Sequence, residues 1–162
     1  MNSFLDRASD RINRGVEYTL FGLGLAMALT VATQVFFRYV LNQSLFWSEE
    51  LARFMLVWLT FLGTSVAYKR QAHPGVDILT RRLAPTLRKF VTIATHLLSL
   101  GFFLIMVVYG IQFAHFVRFQ ISPALTLPKW IILSIIPICG TILCVHGVTF
   151  LAAEFRRTSR DG

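Results

Sequence analysis

Four charged side chains gather at one place in a chain otherwise rich in hydrocarbon. Arg38, Glu49, Glu50 and Arg53 lie on the stretch that joins two long apolar runs. Charge at the edge of a bilayer is costly unless it is paired or drawn to the interface, so this cluster needs a role. Glu49 and Arg53 are four apart and Glu50 and Arg53 three apart, spacings at which helical side chains meet. Arg38, at the end of the preceding run, is a further partner. Such a group could act as an ion or proton relay, or as ion pairs that anchor a helix entrance. Its place at the entrance, with countercharges close by, favours anchoring and docking.

Two histidines offer a second chemistry. His96 lies roughly ten residues inside the third apolar run, and His146 roughly ten from the end of the fourth, so antiparallel neighbours would hold them at similar depth. A bis-histidine haem anchor of cytochrome b type, as in a respiratory enzyme, is therefore the alternative function. The plainer reading is two neutral imidazoles, each bonded to a hydroxyl or carbonyl inside a helix bundle, and it is favoured. His115 and His73 fall at opposite ends of their segments and cannot pair across a span. Cys139 and Cys144 sit five apart in one apolar run, on different helix faces, so neither a disulfide framework nor a metal site is expected. The chain contains no GxSxG, HExxH, phosphate-binding loop or paired CxxC, which argues against an enzyme. No cofactor is expected.

The elements that position these residues follow from composition and periodicity. The chain has 162 residues, 55% hydrophobic and 15% charged, with mean hydropathy +0.61. Soluble domains carry nearer a quarter charged residues, so this is an integral membrane protein. The net charge of +8 could suggest nucleic acid. The basic residues instead sit in short segments between apolar runs, the pattern of topology signals and lipid contacts, so no nucleic-acid partner is expected.

The predicted architecture is all-α: one membrane domain over residues 1–162, crossing four times at about 18–37, 48–68, 88–117 and 129–155. Ser3 and Asp6 read as a capping box opening an amphipathic lead-in along the membrane surface. A helical extension of the first span is the other reading of that lead-in. A basic segment followed by so long an apolar run does not read as a cleavable signal. Ser48 is a candidate N-cap, with Glu49 and Glu50 in the first turn behind it. Val76 to Leu83 reads as a short amphipathic segment, and Pro85 as a helix start. Pro128 opens the last span, and Pro137 should kink it. The tail from Arg156 to Arg160 reads as frayed. Gly22/Ala26, Gly63/Ala67 and Gly110/Ala114 are small-residue pairs that would let another backbone approach. Twelve of the 16 basic residues fall before the first span, between the second and third, or after the fourth. The positive-inside rule then places both termini in the cytoplasm and the charge cluster outside, with Trp47 and Trp130 as interface anchors.

A family resemblance rests on particular residues: Phe37-Arg38-Tyr39-Val40-Leu41-Asn42, Trp47-Ser48-Glu49-Glu50-Leu51-Ala52-Arg53 and Trp58-Leu59-Thr60-Phe61-Leu62-Gly63. It continues through His73, Val76 and Asp77, then Pro123-Ala124-Leu125, Leu127-Pro128, Trp130 and Ile136-Pro137. This pattern resembles the small membrane subunit of tripartite ATP-independent periplasmic (TRAP) transporters, the DctQ-like family. The sequence departs from it at Pro74-Gly75 and at Lys129, where the family tends to have apolar residues. The resemblance implies a small permease of the bacterial inner (cytoplasmic) membrane, with no catalytic role, in a sodium-coupled importer of an organic acid. It implies two protein partners, a large elevator-type membrane subunit and a periplasmic binding protein, besides membrane lipids. It also implies that Trp47, Lys129 and Trp130 help form the outer docking surface, next to the charge cluster.

Overall fold

The computed structural model describes residues 4–70 and 85–158. Among these residues five helices run in order: α1 (Phe4–Tyr39), α2 (Phe46–Lys69), α3 (Pro85–Phe116), α4 (Lys129–Leu133) and α5 (Ile135–Thr158). Among the described residues the only β pairing is a single bridge between Ile121 and Pro128. The all-α expectation therefore holds. Four helical stretches, with α4 and α5 together forming the last, are long and apolar enough to cross a membrane. Apolar residues surround them instead of forming one stripe, as a lipid-facing helix requires. The predicted capping Ser3, the segment 76–83 and the resemblance at His73 and Asp77 lie outside the described residues.

Of the two readings of the N-terminal lead-in, the helical extension is the one found: residues 4–17 continue the first span as one helix of 36 residues. Part of its apolar face is used inside the protein, where Val16 is buried and Ile12 packs beside it against Leu62 and Val66 of α2, while Phe4 and Leu5 are exposed. Helix α2 starts two residues before Ser48, and its N-cap Leu45 supplies no side-chain bond. The Ser48 hydroxyl instead donates back to the Leu45 carbonyl at 2.7 Å. The last span is broken at Ser134, where a kink at Pro137 was expected. A proline has no N–H for the carbonyl four residues earlier and clashes with it. For Pro137 that carbonyl belongs to Leu133, the last residue of α4. Pro137 then sits in the first turn of α5, where proline is tolerated. The Trp58 indole N–H of α2 donates to the Ile132 carbonyl at this break, at 3.1 Å. The tail is helical through Thr158, which differs from the frayed reading of its first residues.

Packing is organised around α5. The α1 and α2 helices pair with each other, and both touch α5, while the main partner of α3 is α5. Burial follows: 39% of the most apolar window of the last span lies inside the protein, against 6% for α3. The α3–α5 contact is close because glycines face it from both sides. A Cβ on Gly110 would stand 2.9 Å from Pro137 Cδ and 3.0 Å from Pro137 N. A Cβ on Gly140 would stand 2.9 Å from Val107 Cγ2. Around Gly22 and Gly63 there is no atom within 4 Å of such a Cβ, so of the three small-residue pairs only Gly110/Ala114 closes a contact within the chain.

Candidate functional site

At the end of the molecule that holds the charge cluster, the loop between α1 and α2 turns at Asn42, whose φ of 51° is in the left-handed region that asparagine tolerates. The Gln43 amide then returns to the Phe37 carbonyl at 3.0 Å. Helix α2 follows, and its first turns carry the acidic residues. Glu49 accepts from Arg53 at 2.5 Å, on side chains 63% and 71% exposed. Exposed pairs of this kind contribute little to stability.

Glu50 does something the sequence did not disclose. Its Oε2 accepts the backbone amides of Ala124 and Leu125, at 2.8 and 2.9 Å, 74 and 75 residues away. A carboxylate between two amides fixes a turn as a bound anion would. The held hairpin is tied further by Ser122 N–H to the Leu127 carbonyl and by Lys129 N–H to the Gln120 carbonyl, both 2.9 Å. Within it Thr126 is held at φ 52°, a left-handed conformation that is unusual for a β-branched residue. Glu49, Glu50 and Arg53 line an open cleft of about 340 Å³ with Phe46, Phe54, Pro123 and Ala124. Arg38 does not join this group; its guanidinium lies 6.0 Å from the Tyr39 ring centroid. Trp47 and Trp130 are 43% and 45% exposed, so both indoles are available to lipid or a partner. The Lys129 ammonium donates to Gln120 Oε1 at 3.3 Å.

A second polar group lies at the opposite end. The Lys69 ammonium donates to Ser9 Oγ at 2.7 Å and pairs with Asp10 at 2.9 Å. Ser9 Oγ is 2.8 Å from His146 Nδ1, and both residues are fully buried. The Ser9 hydroxyl thus joins the Lys69 ammonium to the buried imidazole, whose Nε2 has no hydrogen-bond partner among the described residues. Next to this chain, Glu17 accepts from Arg70 at 2.8 Å and from Asn13 at 2.9 Å. The group ties α1, α2 and α5 together. The sequence carried one signal of it: Ser9 is a small polar residue on the apolar face formed by Leu5, Ile12 and Val16. Its partners are too distant in the chain to be inferred.

His146 thus matches the plainer reading, with its ring bonded to a hydroxyl. The ring beside His96 is Phe150, at 5.9 Å between centroids. Nothing in this geometry supports haem ligation by His96 and His146. Cys139 and Cys144 are both free thiols, and Cys139 Sγ approaches the Phe61 carbonyl at 2.9 Å. Among the described residues no three of His, Cys, Asp and Glu converge as metal ligands would.

Comparison with known proteins agrees with the motif residues. Residues 27–157 match the family described as "Tripartite ATP-independent periplasmic transporters, DctQ component". The sialic acid TRAP transporter permease protein SiaT of Haemophilus influenzae is 28% identical over 90% of this chain, which spans 24% of that protein. The C4-dicarboxylate TRAP transporter small permease protein DctQ of Rhodobacter capsulatus is 32% identical over 71% of this chain and 51% of its own length. The ectoine TRAP transporter small permease protein TeaB of Halomonas elongata is 26% identical over 94% of this chain and 79% of its own. The chain spans about half or less of the length of several of the curated relatives it matches. The chain belongs to the DctQ component family of tripartite ATP-independent periplasmic transporters, as a multi-pass small permease of the inner membrane.

Proposed function

We propose that the chain is the static, non-catalytic subunit of a sodium-coupled TRAP importer, a scaffold for a larger membrane subunit that carries the substrate. The observation that carries this reading is the distribution of charge. The middles of all four membrane-crossing stretches lack Asp, Glu, Lys and Arg, and the ionised groups collect at their ends. Groups that move an ion across a bilayer are polar and lie along its route, so this chain is built to hold a partner. Three relatives of 26% to 32% identity are named for sialic acid, a C4-dicarboxylate and ectoine. Such a spread supports substrate choice lying outside the small permease. An organic acid delivered by a periplasmic binding protein is the cargo we assign to the complex.

In this reading the chain is one membrane domain with both termini cytoplasmic. Trp47, Lys129 and Trp130 then face the periplasm beside the cleft, where Glu49 with Arg53 and Glu50 with the 122–127 hairpin hold the outer mouth in shape for the binding protein. The test is a mild-detergent pull-down of the tagged chain from its native membrane, with mass spectrometry of what accompanies it. A large many-span membrane protein in the eluate is the expected result. Recovery with a haem-bearing dehydrogenase would overturn the reading.

A further inference from the structure

Helix α1 is longer than its span needs. Its 36 residues extend about 54 Å, while the hydrocarbon core takes about 30 Å. The uncharged run starts at Tyr18, so residues 4–17 stand beyond it, and Phe4 lies about 21 Å along the axis from Tyr18.

The faces of this extension are sorted. Ser9 and Val16 are buried against α2 and α5. Asp10 and Glu17, on one flank, are engaged by Lys69 and Arg70. Arg7, Arg11 and Arg14 follow one another at four and three residues, which aligns them on the side away from the core, and all three are exposed. None of them belongs to an ion pair among the described residues. Glu17, three residues from Arg14, already accepts from Arg70. Phe4 shares the arginines' arc and is 84% exposed.

We propose that Phe4, Arg7, Arg11 and Arg14 form a docking ladder for an acidic helical face of the large membrane subunit, on the side of the membrane where α1 begins. The inference rests on the partnership proposed above. Arginine pairs with carboxylates through two parallel hydrogen bonds, and rungs about 5–6 Å apart match Asp or Glu placed one turn apart on a partner helix. Aromatic residues and arginine are the types enriched at protein interfaces. A lipid surface fits less well. Ile12 and Val16 are spent on α2 and α5, which leaves Phe4 and Leu5, at the far end of the extension, as its exposed large apolar side chains. The ladder also rises along the helix for about 10 Å from Arg14 to Arg7, past a headgroup layer of about 5–8 Å.

The test co-expresses the chain with its large subunit and measures the partner retained in mild detergent as salt is raised. The triple variant R7Q/R11Q/R14Q should retain about tenfold less partner than wild type at low salt, and the wild-type complex should weaken as salt rises. The charge-keeping variant R7K/R11K/R14K should hold an intermediate amount, and the isolated glutamine variant should melt with the wild-type chain. Equal retention by the glutamine variant at every salt concentration would overturn the ladder. So would unchanged retention with loss of binding to anionic-lipid vesicles, because the contact would then be with the membrane. Wild-type chain that retains no large subunit under any condition would instead overturn the partnership, and the ladder with it.

Discussion

Substituting Gly110 by alanine should loosen the molecule where α3 meets α5. The added methyl would lie 2.9 Å from Pro137 Cδ and 3.0 Å from both Pro137 N and Ile136 Cγ2. Carbon atoms in comfortable contact are about 3.5–4.0 Å apart, so α3 must retreat by over half an ångström or the side chains must distort. Pro137 cannot yield by rotation, since its ring is fused to the backbone. Overpacking of this kind costs about 1–3 kcal/mol, offset by about 0.5–1 kcal/mol because alanine suits a helix better than glycine. The net loss, up to about 2.5 kcal/mol and centred on about 1 kcal/mol, lowers the melting temperature by about 2–4 °C per kcal/mol for a chain of this size. A thiol-reactive dye reports it directly: Cys139 is fully buried in the cluster that includes Phe103 of α3, and becomes accessible as the two helices part. Gly22→Ala is the control, with no atom within 4 Å of the new methyl, and should melt at or slightly above the wild-type temperature. Identical melting of the Gly110→Ala and wild-type chains would refute the view that close backbone approach holds α3 in place.

Two further outcomes are expected. Ser9→Ala removes the hydroxyl shared by Lys69 and His146 and strands a buried imidazole nitrogen, so it should cost about 1–3 kcal/mol in the same melting assay; Thr19→Ala, at an exposed hydroxyl on the same helix, should cost far less. Glu50→Gln should speed hydrogen exchange at the Ala124 and Leu125 amides by about tenfold or more, whereas Glu49→Gln should leave them unchanged, and equal rates in the two variants would exclude the carboxylate latch.

What the sequence disclosed was local. Uninterrupted apolar runs located the four crossings, because covering the hydrocarbon requires about 20 such residues each. The i,i+4 spacing of Glu49 and Arg53 predicted their pair. Pro137 marked the place where the last span is disturbed, although the backbone gives way at Leu133 and Ser134. Long-range partners were hidden. Nothing near Glu50 announces that its acceptor role is for amides 74 residues on, and the natural reading gave it to Arg53. Nor could the pattern show which small-residue pair is closed within the chain: Gly22, Gly63 and Gly110 look alike until the opposing surface is known. The lead-in stayed divided between two readings for a related reason. An amphipathic segment declares an apolar face, and whether lipid or protein covers it depends on partners elsewhere in the chain.

The pattern of helix neighbours bears on how the protein is made. Ribosomes deliver spans in order, so α1 and α2 can pair as soon as both have left the translocon. The α3 helix arrives next, but its principal neighbour, α5, is synthesised after it. Until then α3 must wait in lipid with the glycine notch at Gly110 unfilled. A nascent chain halted before Ile135 would hold a finished hairpin and a third helix that meets it through the Tyr68–Phe103 ring contact but lacks its main neighbour. Completion of α5 is therefore the step that draws the separately inserted segments together, and quality-control proteases would meet them in their most vulnerable form just before it.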